Sequence, residues 1–167
     1  LLYYRYGVLW ETFFRELGME TVLSPHTNKN LLDAGNYYAI DENCLSSKLF
    51  LGHVSALKGK CDCVFVPRVA NFGKDGVLCT RFEAMYDMCV NTFRSQEIRF
   101  ITCNVDIQQK KPEAGAYIRL GMELGAARPA AKTAWQKAKA AWHANQEQKR
   151  RTQEAALATD RIRVLVV

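Results

Sequence analysis

Apolar residues recur every three to four positions through the first seventeen residues, at Leu2, Tyr6, Leu9, Trp10, Phe13, Phe14 and Leu17. That spacing predicts an amphipathic helix, with Gly18 as its C-cap. A short β-rich run, "METVLS" (19–24), follows. "SPHTNKNLLDAG" (24–35) reads as a loop and a short helix ending at Gly35, and "YYAI" (37–40) as a strand. A second helix is expected over 44–60, with Leu45, Leu49, Phe50, Val54 and Leu57 on one face. "CDCVFVP" (61–67) is apolar on both faces, the signature of a buried parallel strand, and Pro67 stops it.

Residues 68–80 read as a Gly-containing loop, 81–94 as a helix and "EIRFITCNV" (97–105) as a strand. Helices are expected over 113–125 and, in an Ala-rich stretch, over 130–157, with Ala131, Ala134, Trp135, Ala138 and Trp142 as the stripe. "RIRVLVV" (161–167) reads as a last strand. Helices alternating with strands predict an α/β fold: a mostly parallel, flavodoxin- or Rossmann-like sheet with helices on both faces and a long Ala-rich helix near the C-terminus. The expected division is an α/β domain over 1–127 and the long basic helix with its strand over 128–167. In such sheets ligands bind at the carboxyl ends of the strands.

The chain has 167 residues and a net charge of +6. Nine Lys/Arg and three Asp/Glu fall between Arg128 and Arg163, whereas the remainder carries fourteen of each. The basic excess therefore belongs to one segment, which reads either as a solvated helix face or as a docking surface for an acidic partner. Nucleic-acid binding through that helix is disfavoured, because Trp135 and Trp142 are spaced to pack rather than to stack on bases. No apolar run is long enough to span a membrane, and no secretory leader is visible, so a reducing cytoplasm is expected. Both ends read as cut, and the chain is expected to be a piece of a longer polypeptide. Phosphate loops, H-E-x-x-H and G-x-S-x-G are absent, which argues against nucleotide, zinc-protease and serine-hydrolase chemistry within this segment.

Six cysteines remain: Cys44, Cys61, Cys63, Cys79, Cys89 and Cys103. Cys44 opens a helix after a strand end, where free amides and the helix dipole favour a thiolate. Cys79 lies in the loop after "CVFVP", just before the next helix. Two thiols at strand ends, each at a helix start, are candidates to converge on a metal, although either alone also reads as a small buried residue. Cys61 and Cys63 share one face of a strand, and Cys89 lies among Met85, Met88 and Phe93; all three read as packing residues. Cys103 ends its strand at the ligand edge and is kept as a pocket candidate. Lys48 and His53 are further pocket candidates on the Cys44 helix, with a surface lysine and a capped core histidine as the plain alternatives.

Taken together, "LLYYRYGVLWETFFRELGMETVLSPHTN", "CLSSKLFLGHVSALKGKCDCVFVPR", "LCTRFEAMYD" and "AYIRLGMELG" resemble the 2-hydroxyacyl-CoA dehydratase-like domain of large CoA-substrate-specific enzyme activase proteins, the domain of unknown function 2229. The resemblance covers nearly the whole chain and is most specific over 44–68. It implies that Cys44 and Cys79 are two ligands of an iron–sulfur cluster whose third cysteine lies in a later domain. Where the family usually has Pro after these cysteines, Ser46 and Thr80 stand here. In the resembling dehydratases the cluster passes one electron to a CoA thioester, enabling loss of an unactivated β-proton and the hydroxyl. The resemblance further implies an ATP-dependent activase module as partner, in cis or in trans, and acyl-CoA as substrate; a homodimer is compatible with it. The rival expectation is a non-catalytic α/β scaffold that docks an acidic partner through its basic helix.

Overall fold

The computed structural model describes residues 2–71, 76–109 and 112–158. It is mixed α/β, 60% helical, with two short parallel sheets and a long C-terminal helix. The helices are α1 (Leu2–Glu16), α2 (Lys29–Tyr38), α3 (Leu45–Leu57), α4 (Thr80–Glu83), α5 (Met85–Thr92), α6 (Glu113–Glu123) and α7 (Arg128–Leu157). The strands are β1 (Val64–Phe65), β2 (Arg68–Asn71), β3 (Phe100–Ile101) and β4 (Asn104–Asp106). The expected strand at 161–167 lies outside the described residues. Cα packing divides the chain into two units, residues 1–20 with 132–167, and residues 21–131.

In the first unit α1 ends as its sequence dictates. Gly18 takes φ +78°, and Met19 N–H bonds back to the Phe14 carbonyl at 3.0 Å, closing the helix. Leu9, Phe13 and Phe14 are buried along α1. Tyr6 stacks on Trp142 of α7 at 5.7 Å between centroids, and the Trp142 indole N–H donates to the Arg5 carbonyl at 2.8 Å.

The second unit holds both sheets. β1 pairs with β3 (Val64 with Phe100) and β2 with β4 (Arg68 with Asn104, Val69 with Val105), all parallel. Hydrogen bonds from Val64, Val66 and Arg68 N–H to the Arg99, Ile101 and Cys103 carbonyls carry one ladder across both pairs. Pro67 therefore does not stop the strand, and 68–71 is β2 rather than loop. Only the even-numbered amides face β3 and β4, so the proline's missing N–H falls on the opposite side, where it costs no ladder bond.

Two other strand expectations are corrected. "METVLS" forms neither strand nor helix, and Val22 and Leu23 are exposed. "YYAI" is the end of α2, because Tyr38 turns into the core and packs on Phe93 at 4.7 Å. Asn28 caps that helix by accepting the Leu31 N–H at 3.1 Å. Gly35 is a buried interior residue of α2, not its terminator. It faces Gly52 of α3 at a backbone-to-backbone crossing: a Cβ at Gly35 would meet the Lys48 carbonyl, and one at Gly52 the Leu31 carbonyl. Below this crossing lies a core of Leu51, Val54, Val64, Val66, Met85, Cys89 and Phe93. Leu45, expected on the packed face of α3, is exposed, and Ser47 and Gly52 are buried in its stead.

Candidate functional site

Of the six cysteines, only Cys44 and Cys79 are exposed. Each is the N-cap of a helix, Cys44 of α3 and Cys79 of α4, with extended backbone (φ −64°, ψ 156° and φ −60°, ψ 131°) and no side-chain capping bond. Stability alone would select Ser, Thr, Asp or Asn at such positions, whose oxygen accepts an orphan amide and contributes about 1 kcal/mol. Sulfur is a poor substitute, so its use at both starts points to a demand other than stability.

The surroundings of Cys44 favour its thiolate. The buried Ser47 hydroxyl lies 3.3 Å from Cys44 Sγ. That hydroxyl, then the Ser47 amide, then the Arg81 charge and the Ser46 amide hold the thiol below its ordinary value. Arg81 comes from α4, two residues beyond Cys79. Its Nη1 donates to Asn43 Oδ1 at 2.7 Å, tying the residue before Cys44 to the Cys79 helix. A groove of about 440 Å³ opens beside this bond, lined by Tyr38, Ile40, Asn43, Arg81, Asp87 and Met88 among others. Ile40, 65% exposed, sits on it, and Leu45, next in chain to Cys44, is 60% exposed.

The remaining thiols are differently placed. Burial pushes Cys61 and Cys63 up, and pushes Cys89 and Cys103 to about 12. Cys103 is 3% exposed, with the Tyr117 hydroxyl as partner, so it packs inside the unit rather than lining the groove. Lys48 is half-buried on α3, and its carbonyl faces Gly35. Among the described residues no group of three or more His, Cys, Asp or Glu side chains gathers as a metal site.

His53 is a clasp. Ser24 Oγ lies 2.8 Å from its Nδ1 and Thr27 Oγ1 3.0 Å from its Nε2, which pins the 24–27 loop to α3. Burial lowers its pKa from 6.5. As pH falls the unfolded chain takes up the proton first, so this contribution to stability is full above 6.5 and lost as pH falls toward the lower folded value. The urea midpoint is expected to drop between about pH 7 and about pH 5. His53→Gln should flatten that step, and a step left intact would exclude His53 as its source.

Several contacts were invisible in the linear sequence. Arg68 holds Asp87 through two bonds of 2.6 and 2.5 Å and lies over the Tyr86 ring at 4.7 Å. At the carboxyl ends of β2 and β4, buried Asn71 donates to buried Asp106 at 2.6 Å. The basic face of α7 is largely engaged within its own unit. Lys137 pairs with Glu16 at 2.7 Å, Lys139 lies over Trp142 at 4.5 Å, Lys149 donates to the Tyr4 carbonyl, and Arg150 pairs with Glu147 and Glu154. No described helix is long and apolar enough to cross a membrane.

A family model described as the CoA enzyme activase uncharacterised domain (DUF2229) matches residues 1–167. No curated protein and no solved structure matches the chain.

Proposed function

The chain belongs to the CoA enzyme activase uncharacterised domain family, and from that membership we propose that it is the iron–sulfur-bearing, electron-transfer domain of an acyl-CoA dehydratase/activase-like system. One observation carries the proposal. The two exposed cysteines cap neighbouring helices that the Asn43–Arg81 bond ties together. The donors fit the group in kind, since soft thiolates are what iron–sulfur clusters take.

Cys44 and Cys79 would hold the cluster here, with the remaining ligands supplied from elsewhere. When bound, such a cluster supplies one-electron transfer. The chain's own residues do the rest. The Ser47 hydroxyl and the first amides of α3 favour the Cys44 thiolate, and Arg81 places positive charge beside it. An ATP-dependent activase module, in cis or in trans, is the proposed source of the electron, acyl-CoA the proposed substrate class, and a reducing cytoplasm the setting. The two-stranded ladder is read as the centre of a flavodoxin-like parallel sheet.

The test is anaerobic purification of the parent polypeptide with assay of iron, acid-labile sulfide and a reducible chromophore. Cys44→Ala and Cys79→Ala are each expected to abolish all three, whereas Cys61→Ala and Cys63→Ala retain them. Iron content unchanged in both of the first two variants overturns the proposal. The metal-free Cys44→Ser protein should be slightly more stable than the metal-free parent, because a hydroxyl oxygen accepts the first amides of α3 better than sulfur does.

A further inference from the structure

We draw no further inference here: the strongest candidate, the open groove of about 440 Å³ that Tyr38, Ile40, Arg81 and Met88 line in the second unit, is a largely apolar surface, and nothing in the structure shows what covers it.

Discussion

Gly52→Ala is expected to destabilise the protein by about 3 kcal/mol or more, the reverse of what helix propensity alone dictates. In an isolated helix the change would gain about 1 kcal/mol. Here the new methyl group enters the space of the Leu31 carbonyl on α2, and backbone cannot turn aside as a side chain can. The two helices must separate, and the contacts around Leu31, Leu51 and Val54 open with them. Gly35→Ala meets the Lys48 carbonyl and carries a similar penalty. A single displacement of the helices accommodates both methyls, so the double variant should cost clearly less than the sum of the two. Gly115→Ala is the control: its Cβ would have nothing nearer than 3.9 Å, and the change should be neutral or stabilising. Urea unfolding followed by circular dichroism measures all four. Gly52→Ala with a midpoint at or above that of the parent would show that the crossing is not close.

That crossing also marks where the sequence was hard to read. In the sequence Gly35 reads as a helix terminator, because glycine commonly ends helices. Its actual reason lies seventeen positions away on another helix. The same limit hid the Asn43–Arg81 and Arg68–Asp87 pairs, which join elements separated by a strand or a helix. Periodicity did better wherever one element faces one core. α1, α6 and α7 lie close to their expected bounds, and Gly18 and Gly125 both take positive φ at helix ends, +78° and +94°. Aromatic residues misled at Tyr37 and Tyr38, since a short apolar run suits a strand as well as a helix end.

At the site, the helix starts behind Cys44 and Cys79 were legible from local pattern. The burial of Cys103 was not, because strand pattern does not say which face of a strand end meets solvent. In Gly52-His53-Val54, the glycine permits the crossing, the histidine clasps the 24–27 loop and the valine enters the core. In Pro67-Arg68, the proline turns its missing N–H away from the ladder and the arginine holds Asp87. These residues build the platform that presents Cys44, and they need not touch a ligand to be required.

Phe93→Ala is expected to remove about 3–5 kcal/mol, a large share of the stability of an ordinary domain. The ring is 2% exposed and lies between Tyr38 at 4.7 Å and Phe100 at 6.2 Å, so it joins α2 and α5 to β3. Truncation leaves a cavity walled by elements already fixed by the α2–α3 crossing and the ladder, and these cannot close over it. Phe93→Leu keeps most of the volume and should cost only about 1–1.5 kcal/mol. Cys89→Ala, in the same core, removes a single sulfur and should cost about 1 kcal/mol. Tryptophan fluorescence is the wrong probe, because Trp10, Trp135 and Trp142 all belong to the unit of α1 and α7. The buried thiols Cys89 and Cys103 are the right one, since each reacts with a disulfide reagent only once its surroundings open. Their exposure in Phe93→Ala should begin at much lower urea than in the parent, with Phe93→Leu between. Equal midpoints for the Ala and Leu variants would mean that the ring fills no space the core depends on, and that Cys44 and Cys79 are held up by the helix crossing alone.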